Sequence, residues 1–382
     1  MSHFIQLHLL TAYPPSNLNR DDLGRPKTAF MGGARRLRVS SQSLKRHWRT
    51  SELFEAAVDG HKGTRTKRLG GEVYKRMTNA GADTKVAGSS AEKIAGVFGK
   101  LRKVEKGEKH EYEIEPLVHV GPEELTALEA LADTLGAENR EPTDDELKGL
   151  LARRPTAVDV ALFGRMLAAA PGYNVEAACQ VAHAITVHAA EVEDDYFTAV
   201  DDLNTGDEDR GAAHIGEAGF AAGLFYLYLC IDRALLIENL KDNEELADRA
   251  IAALVESAVK ISPKGKQNSY GSRAQASYVL AERGDQQPRS LSASFLQPVS
   301  GDAQAVSAIR KLETQAQAFD DAYGKGADQR FVVSATPEYD APTLKGDIQQ
   351  GNLQELLGFL KGSGAPGDDG SLKDDGSLKD DD

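Results

Sequence analysis

The sequence predicts an α+β protein in which one large helical insertion interrupts the strands and helices. Three patterns carry that reading. Apolar residues alternate with period two near both ends of the chain, and helix-period segments lie between those strands. From about residue 52 to 155, strand alternation gives way to helical segments mixed with Lys/Arg-rich stretches. At 382 residues and 41% hydrophobic content the chain can bury a large core, which excludes a wholly disordered protein.

Residues 3–11 alternate, with Ile5, Leu7 and Leu9 on one face and Gln6 and His8 on the other, the pattern of a half-buried strand that Pro14 and Pro15 end. Gly32-Gly33 then leads into a strand in which Leu37 and Val39 alternate with Arg36 and Arg38, so one of its faces is basic. Ser40, Ser41 and Gln42 are candidate N-caps for a helix with Leu44 and Trp48 on one side and Gln42, Lys45, Arg46 and Arg49 on the other. Helical segments are expected at 123–135 and 144–151. Apolar alternation resumes at Val181, His183, Ile185 and Val187 and at Phe225, Leu227, Leu229 and Ile231, which read as central strands. The polar stretch 191–219 between them is too long for a hairpin loop and predicts a protruding β-arm. A helix over 243–260 capped by Asn243, strands at 276–280 and 291–296, a helix over 303–322 and a strand at 331–333 complete the order. From 362 to 382 the composition falls to Gly, Ser, Lys and Asp, with Gly-Ser-Leu-Lys-Asp-Asp occurring twice, and a disordered acidic tail is expected.

The balance of 45 basic and 59 acidic side chains, net −14, repels polyanions on average. Against it, Arg20, Arg25, Lys27, Arg35, Arg36, Arg38, Lys45, Arg46 and Arg49 crowd between residues 20 and 49 with only Asp21 and Asp22 as acids. Such a local excess is the footprint of a phosphate-binding track. Arg36 and Arg38 sit two residues apart on one strand face, about 6–7 Å, a phosphate-to-phosphate spacing. At the helix start, free backbone N–H groups, the short side chains of Ser40, Ser41 and Gln42, and Lys45 offer an anion seat. The like charges Lys45 and Arg49, four residues apart, cost an isolated helix about 0.2–0.5 kcal/mol, which a bound anion would relieve. The competing reading is an ordinary solvated helix face. No base-reading motif accompanies the track.

Cys179 and Cys230 are the only cysteines, too few for a disulfide scaffold and without zinc-site spacing, so a reducing compartment, no metal and no cofactor are expected. The N-terminus lacks a leader pattern and no run of apolar residues is long enough to span a bilayer, so a soluble, cytoplasmic protein with no membrane partner is expected.

The stretch Ser16-Asn17-Leu18-Asn19-Arg20-Asp21-Asp22, followed by the run from Gly32 through Arg46, resembles the N-terminal signature of the CasC backbone subunit of the type I-E CRISPR Cascade complex. The resemblance recurs at Gly164-Arg165-Met166, at Ala182 through His188, at Tyr196 through Leu203 and at Ala213-His214-Ile215-Gly216, and is weak between about 52 and 155. It implies a modified RRM-like, ferredoxin-like palm (1–55 and 179–361), helical fingers (56–178) and a β-hairpin thumb (191–219). It implies further that several copies coat one CRISPR RNA, present it to target double-stranded DNA in antiviral defence, and meet the large, small, guide-end-capping and guide-processing subunits. By the same resemblance Arg20, Lys27, Ser40, Gln42, Lys45, Arg46 and Arg49 grip the guide backbone, with Lys264 and Lys266 adding contacts. Met166, Phe197, Thr198 and Ile215 match wedge positions that displace every sixth nucleotide, a use of apolar side chains that costs unstacking energy and fixes a kink.

His183 and His188, five residues apart on a strand, fall on opposite faces and cannot share a metal. Asp194, Asp195, Asp201 and Asp202 in the arm raise a rival reading, a metal-dependent nuclease, because clustered carboxylates near nucleic acid can hold Mg²⁺. The resembled family is understood as non-catalytic, and acidic residues on exposed arms are usually solvated.

Overall fold

The structure, a computed structural model, describes residues 3–103, 111–199 and 214–361, and of His214 and Ile215 only the backbone. The acidic tail, Asp201 and Asp202 lie outside the described residues.

The fold is mixed α/β. The first sheet strands are β1 (Phe4–Ser16), β2 (Thr28–Met31) and β3 (Ala34–Val39), followed by helices α1 (Ser41–Arg49) and α2 (Glu52–Ala57). The insertion carries β4 (Thr64–Thr66), α3 (Leu69–Asn79), α4 (Thr84–Phe98), β5 (Val118–Val120), α5 (Pro122–Glu138), α6 (Asp144–Lys148) and α7 (Val158–Phe163). The chain then returns through β6 (Cys179–Val181), β7 (Ala184–Thr186), β8 (Glu193–Ala199), β9 (His214–Asp232), α8 (Arg233–Asn239), α9 (Glu244–Lys260) and α10 (Gln267–Tyr270). It closes with β10 (Ala276–Gly284), α11 (Gln304–Tyr323), β11 (Gln329–Ser334), β12 (Ile348–Gln350) and α12 (Leu353–Leu360).

Ten strands form one sheet in the order β12-β11-β10-β1-β9-β7-β3-β2, with β6 and β8 also paired to β9. It is mixed because β11 and β12 run parallel while the other pairs are antiparallel. One face packs Ile5, Leu7 and Leu9 against α9 and α12, and the other packs Leu10, Tyr278 and Leu280 against α11. The insertion has its own apolar cluster, from Leu69 to Leu167, separate from both.

Three local expectations are corrected. The strand β1 is buried on both faces, not half-buried, because Gln6 and His8 find partners inside: His8 bonds Tyr226 and Glu282, and Gln6 accepts from the Tyr228 hydroxyl. Burial would raise the Glu282 carboxyl, but hydrogen bonds from His8 and Arg289 outweigh it and hold Glu282 well below the usual carboxylate range. The expected strand at 291–296 is a 3₁₀ turn, Ser292–Phe295, because its backbone bonds locally instead of to a strand: the N–H groups of Ser294 and Leu296 donate three residues back, to the carbonyls of Leu291 and Ala293. The expected strand at 181–187 is two short strands, because β7 turns away to bridge β9 and β3 while β6 pairs β9 alone.

Candidate nucleic-acid interface

Three adjoining clefts make a groove along the chain's first basic loop. The first, about 540 Å³, is lined by Asn19, Arg20, Ser43, His47 and Lys264, with Asp21 and Asp22 also on its wall. A narrow crevice carrying Lys27 and Arg38 shares Leu18 and Asn19 with it. A third cleft, about 1080 Å³, shares Lys264 and extends past Lys266 and Arg273 to Thr50. These residues come from loops far apart in sequence, and Gly265 explains how they meet: a Cβ there would lie 2.2 Å from the Leu18 carbonyl oxygen. Only glycine allows the two backbones to approach so closely. Gly265→Ala is therefore expected to spread the loops and weaken polyanion binding several-fold, with far-ultraviolet circular dichroism unchanged; wild-type affinity would refute it.

Among the described residues Arg20, Lys27, Arg38, Lys264, Lys266 and Arg273 have no carboxylate within ion-pair distance. Elsewhere on the surface cations such as Arg76 and Lys93 are neutralised by Asp133 and Glu141. What marks these six is that they crowd around one groove, and the cost of that crowding falls when an external anion arrives.

Helix α1 divides the rest of the track. Ser43 and His47 face the groove, and burial lowers the His47 imidazole below its ordinary value, with Lys264 and Arg46 adding to that. Lys45 and Arg49 face the insertion instead. The Lys45 ammonium sits 5.2 Å from the centre of the Phe163 ring. Arg49 is buried and bonded to Asp159 at 2.5 Å, beside His119. Burial pushes the Asp159 carboxyl up, but hydrogen bonds from His119 and the Gly63 N–H, with the Arg49 charge, bring it below the usual range. The repulsion between Lys45 and Arg49 is thus offset from inside, and Arg49 is not a groove cation. Arg46 is exposed beside the strand β4, whose Arg65 lies opposite His119.

Two further track residues are corrected. Arg36 is fully buried and donates to the carbonyls of Met31, Thr186 and Phe295, so it stitches the sheet edge to the 3₁₀ turn rather than facing a ligand. Ser40 is buried as the α1 N-cap, its hydroxyl accepting from the Ser43 N–H and its N–H donating to Asn19, so the expected anion seat is filled by the chain's own cap. Gln42 is exposed, but the groove-lining side chain of that turn is Ser43.

The hairpin β8–β9 rises from the groove's rim. Asn17 donates to the carbonyls of Gly24 and Gly219, Arg25 pairs with Asp194 at 2.8 Å, and Phe220 and Tyr270 lie ring to ring at 6.2 Å. Both groove loops are thereby fixed to the hairpin's root. The strand β8 is exposed along its length; Phe197 is 41% exposed and lies across from Gly216, where its ring covers the missing side chain. Thr198 is exposed and pairs with Ile215, whose side chain lies outside the described residues. Met166 is 84% exposed. It is held outward because Gly164, at φ +80°, turns the chain and the adjacent Arg165 is locked inside by Glu124.

Of the arm aspartates, Asp194 is taken by Arg25, and no group of three His, Cys, Asp or Glu side chains suited to a metal occurs among the described residues. No helix among them is long and apolar enough to cross a membrane.

Fold and site together define a mixed α/β protein with a cation-lined surface groove. A family model described as CT1975-like protein matches residues 5–358. The chain belongs to the CT1975-like protein family, the family of the Cascade backbone subunit that its motifs resemble. A chain of a CRISPR RNA-guided surveillance complex in a pre-nicking state superposes at TM-score 0.82 with 31% identity, covering 94% of this chain and 99% of that one. A chain of another CRISPR RNA-guided surveillance complex superposes at TM-score 0.71 with 26% identity, covering 93% and 99%. No curated protein matches the chain.

Proposed function

We propose that the chain is a non-catalytic RNA-binding backbone subunit of a Cascade-type surveillance complex. Copies of it line up along a CRISPR RNA and hold its backbone, leaving the bases to pair with target DNA. The observation that carries this is the groove of unpaired cations in an otherwise acidic protein. In this reading the large sheet is an RRM-like palm, the insertion 56–178 is the fingers and the β8–β9 hairpin is the thumb. The guide runs past Lys27, Arg38, Arg20, Lys264 and Lys266, with Gln42, Lys45 and Arg46 at its flank. Contacts of this kind position a strand without reading its sequence.

Native mass spectrometry after expression with and without a CRISPR array tests it. A defined RNA carried by a fixed multiple of subunits is expected only with the array, and a bare monomer in both cases would overturn it.

Met166, exposed on a rigid turn, and Phe197, on the hairpin, are the bases' wedges in this reading, with Thr198 and Ile215 beside Phe197. Replacing Met166 and Phe197 together by alanine is expected to abolish the six-nucleotide period in ribonuclease protection of the assembled guide. Subunit binding should persist, because backbone contacts carry the affinity.

A further inference from the structure

His183 lies in the turn between β6 and β7, exposed, with its Nδ1 2.8 Å from an Arg38 Nη1. A guanidinium can only donate, so the imidazole must accept at Nδ1 and carry its proton on Nε2. The chain fixes this tautomer and leaves the Nε2–H as a donor. Lys27 and Arg38 are joined by a backbone hydrogen bond of 2.8 Å from the Arg38 N–H to the Lys27 carbonyl, and both line the same crevice. Neither has a carboxylate partner among the described residues, and Arg38 and Lys27 are the charged groups that act on the His183 ring.

We propose that His183 is a ligand of the groove, its Nε2–H joining Arg38 and Lys27 to seat one phosphodiester at the β3–β7 end. The proposal rests on the nucleic-acid reading of the groove and assigns a position that reading leaves open. It also gives binding a proton linkage. In the free protein, burial and the charges of Arg38 and Lys27 lower the His183 imidazole below its ordinary value. A phosphate between the three groups draws the Arg38 guanidinium to itself, so Nδ1 is released from its Arg38 N–H and can take the second proton, and the anion's charge favours that charged ring. The complex therefore takes up a proton that the free protein does not hold, and affinity rises as pH falls.

Binding of a fluorescent single-stranded oligouridine RNA to the full chain is measured from about pH 8 to about pH 5.5. At the alkaline end His183→Ala is expected to weaken binding roughly three- to tenfold, the effect of one hydrogen bond to a charged acceptor. His183→Gln, which keeps an N–H donor and an acceptor, should bind there like wild type but lose part of the rise towards acid. His47→Gln removes the other groove histidine and leaves the His183-dependent part to be read alone. If wild type binds in a salt-dependent way and both His183 variants follow its pH profile, the inference is overturned and the nucleic-acid reading stands. If wild type shows no salt-dependent RNA binding, both fall.

Discussion

Arg165→Ala is expected to destabilise the protein by about 3–5 kcal/mol, the cost of leaving a buried charge without its partner. Arg165 and Glu124 are each 1% exposed in their side chains, and Nη1 of the arginine donates to both carboxylate oxygens at 2.9 and 2.7 Å. Its Nη2 donates to the carbonyls of Ala152 and Tyr173, and Glu124 also accepts from the N–H groups of Gly121 and Ala152. Every polar atom of the pair is engaged, so the arginine joins helix α5, the segment after α6 and the turn that presents Met166. Alanine leaves a carboxylate in an apolar surround with two donors and no countercharge, and the turn loses its anchor. Urea unfolding of the wild type, Arg165→Ala, Glu124→Ala and the double variant measures it. The double variant should recover a large part of the single loss, because it removes both charges. A loss under about 1 kcal/mol for Arg165→Ala would show that the pair is no more than a surface ion pair in effect.

The same pair shows what the sequence reveals and what it hides. Alternation marks β1, β3 and β9, and caps mark α1 and α9, because local spacing determines which face is apolar and Ser40 and Asn243 act on neighbours three residues on. The basic track is visible for the same reason. Its division is not. Arg36, Arg38 and Arg49 read alike in sequence, yet Arg36 meets three carbonyls, Arg38 faces the groove and Arg49 meets Asp159, 110 residues away. Partners that arrive from distant segments decide which cations stay free, and no local period encodes them. Arg273 and His47 were hidden likewise. The spacing of Lys264, Gly265 and Lys266 was the available signal, since a glycine between two lysines in a loop marks a close backbone approach flanked by charge. The strand expected at 291–296 failed because a short apolar run carries no period of its own, and Leu291 and Phe295 fit one helical turn as well as a strand.

That division makes the second large effect a sharp one. Replacing Lys27, Arg38 and Lys264 together by alanine is expected to lower the slope of log K against log salt by about 2, at about 0.7 for each phosphate contact to a single strand. The advantage of wild type over this variant should then shrink about sixteenfold between roughly 50 and 200 mM salt. Arg49→Ala supplies the contrast. It removes the cation next to the buried Asp159, which is 0% exposed, so it should cost stability while leaving the salt slope of binding at the wild-type value. Equal slopes for wild type and the triple variant would mean the groove is not the path of the strand. A lowered slope for Arg49→Ala would mean that the buried cluster opens when RNA binds and that the track acts as one surface after all. With the triple variant alone flattened, the charges that matter are those the fold leaves without partners, and the acidic remainder of the surface confines the strand to that path.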